Sequence, residues 1–165
     1  MWIVAKIKSK ELNIFKKNLI EKTGKKIEFY YPKILFKKFS RNKFSEKEKP
    51  VIEEYLFCYH PNFLIKNFLE NLKYIKGLKY FLPNSILDQK NILNFINHCK
   101  KNENERGFLS PSFFKSILKD KGQFLSGPFK NLIFNIIEKN EKNLRIQIGN
   151  INTTITSNNY LYKPV

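Results

Sequence analysis

Leu144-Arg145-Ile146-Gln147-Ile148-Gly149-Asn150-Ile151-Asn152-Thr153-Thr154-Ile155-Thr156 is the stretch whose reading decides the fold. Leu144, Ile146 and Ile148 alternate with Arg145 and Gln147, the period of a strand with one buried face. Gly149-Asn150 supplies a two-residue turn, and the β-branched Ile151, Thr153 and Ile155 carry the chain back. Outward from this hairpin the pattern stays that of short strands. Residues 132–137 read as one, and Asn158-Asn159 turns the chain into another at 160–162. Several strands within about 50 residues predict a small β-barrel.

Upstream the pattern changes. Lys100-Lys101-Asn102-Glu103-Asn104-Glu105-Arg106-Gly107, followed by Ser110-Pro111-Ser112, is polar and aperiodic, and reads as a linker over 100–112. Before it, strands alternate with helices. Trp2 to Ile7 reads as a buried strand. Ser9 is placed to cap a helix bearing Leu12, Phe15, Leu19 and Ile20, stopped by Gly24. Ile27, Phe29 and Tyr31 alternate with Glu28 and Tyr30 in a strand that ends at Pro32. Tyr55 to His60 is the next strand. Asn62 opens a helix with Leu64, Ile65, Phe68, Leu69 and Leu72 on one face. Leu78 to Leu82 is a strand closed by Pro83, and Asp88 opens a helix with Ile92, Phe95, Ile96 and Cys99 facing inward.

The predicted class is therefore α+β: a sandwich of one antiparallel sheet with about three helices, then the barrel. The expected domains are 1–99 and 113–165, joined by the linker. Segment 33–49 stands apart. It carries seven Lys or Arg against Glu46 and Glu48, with Phe36, Phe39 and Phe44 scattered among them, and reads as a projecting arm rather than core.

Lys and Arg number 31 and Asp and Glu 14, a net charge of +17. This points to an anionic partner: nucleic acid, a membrane surface or an acidic protein. A composition crowded with Lys, Asn, Ile and Phe reads equally as AT-rich coding bias. Cys58 and Cys99 are no disulfide framework and fit a reducing cytosol. The N-terminus lacks the pattern of a signal peptide, and no apolar run approaches the roughly 20 residues that span a bilayer. A soluble, cytoplasmic protein is expected, a monomer with no membrane contact.

Catalytic chemistry finds little support. There is no Gly-rich phosphate loop, nucleophile elbow or supported carboxylate pair, and Asp88 and Asp120 are the only aspartates. Cys58 and His60 share one face of a strand, but His98 and Cys99 are adjacent on a helix and diverge, and no Cys-x-x-Cys exists. No enzyme activity, metal or cofactor is expected.

The order of parts, with several short motifs, resembles the NusG/RfaH family of transcription elongation factors over nearly the whole chain. Trp2-Ile3-Val4 resembles the family's opening Trp-Tyr-Val-Val strand, and Tyr31-Pro32 the Val-Pro or Tyr-Pro that ends its second. Tyr55-Leu56-Phe57 resembles its third strand, and Gly77-Leu78-Lys79-Tyr80-Phe81-Leu82 its Val-x-x-Phe-Ile strand. Gly127-Pro128-Phe129 is similar to the Gly-Pro-Phe at the heart of the KOW motif; its plain alternative is an ordinary hairpin turn. The departures are specific. Where the family has Phe-Phe-Pro-Gly-Tyr, this chain has Val51-Ile52-Glu53-Glu54-Tyr55. Two KOW glycines are replaced by Asn131 and Phe134. These mark a specialised member nearer RfaH than the housekeeping factor.

The resemblance implies an N-terminal domain that lays an apolar patch on the clamp helices of RNA polymerase, suppressing pausing or termination. Trp2, Val4, Val51, Ile52, Tyr55 and Phe81 match that patch, although several of them also suit a core. The arm would reach the opposite jaw of the polymerase, with Lys37, Lys38, Arg41 and Lys43 near phosphate of upstream or non-template DNA. Lys10, Lys16 and Lys17, on or near the exposed side of the first helix, would act likewise, the alternative being a solvated face. The KOW barrel would bind a ribosomal protein or the termination factor Rho. A ribosome-associated or RNA-binding KOW protein is the second reading, since such barrels occur there too.

Overall fold

The computed structural model describes residues 1–24, 26–40, 43–110, 113, 118, 120–157 and 159–165, with the backbone alone at 37–40, 43, 44 and 66. The chain divides into two compact units: residues 1–32 with 50–101, and residues 33–49 with 102–165. Among the described residues it is a mixed α/β protein with antiparallel sheets and three α-helices.

In the first unit, strand β1 (Trp2–Ile7) leads through a short 3-10 turn into helix α1 (Leu12–Thr23) and strand β2 (Glu28–Tyr30). The chain then leaves for the second unit as strands β3 (Lys33–Ser40) and β4 (Lys43–Pro50). It returns as β5 (Tyr55–Tyr59), helix α2 (Lys66–Asn71), strand β6 (Leu78–Phe81) and helix α3 (Gln89–Lys101). The sheet order is β2-β5-β1-β6, all antiparallel.

Strand alternation divides the side chains between two cores. Ile3, Ala5 and Ile7 of β1, with Leu56 and Cys58 of β5, pack against Phe15 and Leu19 of α1 and against Phe63, Leu72 and Ile75 around α2. Trp2, Val4 and Phe57 face the other way, onto Ile92 and Ile96 of α3. Among the described residues the outer edge of β1 has no strand partner beyond Phe81. The Trp2 N–H donates to Gln89 Oε1 (3.0 Å), Gln89 Nε2 donates to the Trp2 carbonyl (2.7 Å), and the Val4 N–H donates to Ser85 Oγ (3.1 Å).

Local readings needed correction in three places. Ser9 does not cap α1; its hydroxyl donates to Glu54 Oε1 at 3.0 Å, and Ile20 is exposed. The expected helix from Asn62 breaks into a 3-10 turn (Pro61–Leu64) and the six-residue α2, leaving Leu64 and Ile65 exposed while Phe63 is buried. His60 causes the break. Its Nδ1 accepts the Asn62 N–H at 3.2 Å, and its ring stacks on Phe68 at 5.3 Å.

The second unit contains β3 and β4 paired as a two-stranded sheet, and a five-stranded antiparallel sheet in the order β10-β9-β8-β7-β11. Those strands are β7 (Lys121–Phe124), β8 (Ile133–Lys139), β9 (Asn143–Ile148), β10 (Ile151–Thr156) and β11 (Tyr162–Pro164). Segment 33–49 does contribute core: Ile34 is 1% exposed. The Leu109 N–H donates to the Lys33 carbonyl (2.8 Å), the Leu35 N–H donates to the Leu109 carbonyl (3.3 Å), and Arg106 pairs with Glu46 at 3.2 Å. The polar residues before Leu109 form a closed turn in which Asn104 Oδ1 accepts the N–H groups of Arg106 and Phe108, both at 3.0 Å.

Strand β7 was not legible because Lys121-Gly122-Gln123-Phe124 is short and contains glycine. Its glycine is nonetheless required. A Cβ on Gly122 would lie 2.5 Å from Phe134 Cζ, since Gly122 and Phe134 are register partners on β7 and β8. The Phe134 ring fills that space and packs at 4.6 Å on Phe124. Gly122→Ala is expected to destabilise the protein by roughly 1–3 kcal/mol, through overpacking, with partial recovery in the Gly122→Ala/Phe134→Leu double variant, read by denaturant titration.

Burial holds the His60 imidazole below its ordinary pKa, and its Nδ1 must stay unprotonated to accept from Asn62. With the folded pKa depressed, the unfolded chain binds more protons below about pH 6.5, so stability is full above that value and falls beneath it. Thermal melts between about pH 7.5 and 5.5 should show this fall, and His60→Asn should flatten it. Equal slopes in the two proteins would show that His60 does not carry the effect.

Candidate functional site

Alternation in β1 sends Lys6 to the same face as Trp2 and Val4, and Lys6 pairs in register with Tyr55 of β5 and Tyr80 of β6. Helix α3 covers the Trp2 and Val4 end of this face. Around that contact lie partly buried apolar side chains: Tyr30, Ile52, Tyr55, Tyr59, Leu82 and Phe95. Phe57 stacks on Phe95 at 5.5 Å, and Trp2 meets Tyr59 at 5.4 Å. Beside α3 a cleft of about 180 Å³ is lined by Val4, Leu82, Pro83, Ser85, Asp88 and Ile92, among others. Apolar side chains left half-exposed beside a rigid sheet are suited to docking another protein.

The six patch residues fall into different places. Trp2 and Val4 are buried beneath α3 and belong to the core. Ile52 and Tyr55 are half-exposed on this face. Val51 is half-buried, and its N–H donates to the Pro32 carbonyl at 2.9 Å. Phe81 packs with the opposite core, because it is the register partner of Ala5. The residues that the sequence reading passed over are Lys6 and Tyr80. Their signal was available, since even positions of β1 share a face with Val4.

Just before β5, Glu54 adopts a left-handed backbone with φ 65°. Its carbonyl accepts the Ile7 N–H at 2.7 Å, and its carboxylate is held by Lys79 at 2.8 Å and by Ser9 at 3.0 Å. The Lys79 and Ser9 hydrogen bonds hold that carboxyl below its usual pKa. The Tyr55 and Tyr80 hydroxyls raise the Lys6 ammonium above its ordinary value.

Of the basic residues read on α1, Lys10 and Lys17 are exposed, Lys17 within 4.0 Å of Glu21, and Lys16 lies 5.3 Å over the Phe29 ring. The side chains of Lys37, Lys38, Arg41 and Lys43 lie outside the described residues. Cys58 is buried and its thiol pushed far up by desolvation. Among the described residues no three metal-binding side chains converge. No described helix is long and apolar enough to cross a membrane.

In the second unit, Gly127-Pro128-Phe129 forms the turn between β7 and β8. Gly127 has φ 79°, and a Cβ there would lie 2.9 Å from the Tyr160 ring. Phe129 packs on Phe124 at 5.6 Å and Tyr160 at 6.1 Å. Two residues on, Asn131 is left-handed with φ 72°, and its N–H donates to the Phe124 carbonyl at 2.9 Å.

No protein-family model matches this sequence, and no curated protein does. Among solved structures, the chain is similar to one described as domain interaction in Thermotoga maritima NusG. That likeness has 14% identity, covers 99% of this chain and 96% of the other, and has a TM-score of 0.35. It is also similar to the MjSpt4:Spt5 complex in conformation B, with 14% identity, 97% and 95% coverage and a TM-score of 0.32.

The division between core and surface on this face is measurable. Phe57→Ala is expected to cost about 3–5 kcal/mol, because it opens a cavity under α3. Ile52→Asp, on the half-exposed rim, should cost no more than about 1 kcal/mol. Denaturant titration of both variants checks the assignment, and comparable losses would place Ile52 in the core.

Proposed function

We propose that this chain is a non-catalytic transcription elongation factor of the NusG type, acting by binding the clamp helices of RNA polymerase through the face around Ile52 and Tyr55. One observation supports the reading above the rest. Among the described residues only Glu54 and Asn131 are non-glycine residues with positive φ. Both stand where the resembled family carries glycine. A residue such as Glu in this conformation costs roughly 1–2 kcal/mol, so the left-handed backbone at Glu54 fits a turn that the resembled family makes with glycine. The KOW reading of the five-stranded sheet draws on the same point, together with the aromatic corner at Phe129.

In this reading the apolar rim supplies attachment, and the basic segment 33–49 supplies contact to phosphate through Lys37, Lys38, Arg41 and Lys43. Attachment that is available only in the closed polymerase shifts its population toward the elongating state. Phosphate contacts weaken as salt rises because they are driven by counterion release, whereas the apolar contact persists.

The charge of +17 favours a second reading, a ribosome-associated or RNA-binding protein. Pull-down of the full chain with core RNA polymerase and, separately, with ribosomal subunits discriminates the two. Retention by polymerase that is weakened at least about tenfold by the Ile52→Asp/Tyr55→Asp pair is expected. Retention by ribosomal subunits alone would replace this proposal with the second reading.

A further inference from the structure

The row Tyr55–Lys6–Tyr80 crosses three adjacent strands on the half-exposed sheet face. The Lys6 Nζ lies 5.3 Å from the Tyr55 ring centre and 5.6 Å from that of Tyr80. Tyr80 is 47% exposed. The cations nearby in sequence are already matched: Lys8 lies 3.8 Å from Glu11, and Lys79 lies 2.8 Å from Glu54. Among the described residues no carboxylate pairs with Lys6. Glu54, whose charge Lys6 feels, is taken up by Lys79 and Ser9. Lys6 is thus a positioned charge, held between two phenols on the face it shares with Val4, with no carboxylate paired to it among the described residues.

Resting on the function proposed above, we infer that Lys6 is a specificity determinant of this docking face, receiving an Asp or Glu carboxylate that the partner protein presents amid apolar residues. One feature favours a protein carboxylate over nucleic-acid phosphate. A phosphate backbone is tracked by repeated cations along a groove, and here the neighbouring Lys8 and Lys79 are paired with glutamates. The ring-seated ammonium loses little freedom on pairing, and one such contact fixes the register of an otherwise apolar docking.

The test uses the full chain and core RNA polymerase from the producing organism, comparing wild type with Lys6→Met, Lys6→Glu and Ile52→Asp. Lys6→Met keeps the apolar stem, and circular dichroism checks the fold. At about 50 mM salt, Lys6→Met should weaken binding about tenfold and Lys6→Glu more, and the difference should shrink several-fold by about 500 mM. Ile52→Asp should weaken binding at both salts. If Ile52→Asp weakens binding and Lys6→Met does not, docking stands and the role of Lys6 is overturned. If wild type does not bind polymerase, both are overturned. If Lys6→Met instead lowers affinity for a single-stranded RNA oligonucleotide by fluorescence anisotropy, with polymerase binding unchanged, the face reads nucleic acid and the inference fails.

Discussion

The central strand β1 is hydrogen-bonded along both edges while its side chains alternate between two separate cores, and the first unit depends on that constraint. A register slip of one residue would exchange Trp2, Val4 and Lys6 with Ile3, Ala5 and Ile7, placing a lysine beneath α1 and α2. The pairing is therefore fixed by burial and not by turns alone. Where β6 ends, the Gln89 amide and the Ser85 hydroxyl take over as surrogate strand partners. An unmatched buried N–H would cost about 1–3 kcal/mol. Those two side chains consequently tie the start of α3 and the turn before it to β1, and the half-exposed rim around Ile52 and Tyr55 is defined relative to a fixed helix.

The elements most legible in the sequence were those whose period matched their burial. β9 and α3 were readable because apolar residues recur at 2.0 or 3.6 positions against one core, and β1 and β5 because short unbroken apolar runs suit strands buried on both faces. The failures share a cause: a side-chain hydrogen bond or a neighbour's bulk overrode local preference. His60 captures the Asn62 N–H and splits the expected helix. Gly122 looks like a strand breaker until Phe134 across the ladder fills its missing side chain. At the candidate site, motif matching offered Ile52, Tyr55, Trp2, Val4 and Phe81 alike and could not sort the half-exposed residues from the core ones. Only the register with Ala5 and the position of α3 decide which face each occupies.

The positive charge takes on a different weight once its partners are traced. Lys8, Lys17, Lys33, Lys79 and Arg106 each lie within 4.0 Å of a glutamate. Exposed pairs of this kind contribute about 0–1 kcal/mol apiece. They matter here less for stability than for pattern, since they cancel charge locally and leave a cation such as Lys6 conspicuous on a largely apolar face.

The polypeptide passes between the two units three times, at 32–33, 49–50 and 101–102. This has a consequence for synthesis. β3 and β4 leave the ribosome before β5, β6 and α3, yet their partners come last: Arg106 follows Glu46 by 60 residues, and Leu109 covers Ile34. The first unit can close once Lys101 has emerged, while the hairpin waits with its apolar residue uncovered. Long-range closure of this kind is slow, and it exposes apolar surface during the wait. A nascent chain stalled between those two points would carry one finished unit and an unpaired fragment of the other, a species that a domain-by-domain folding order would never produce.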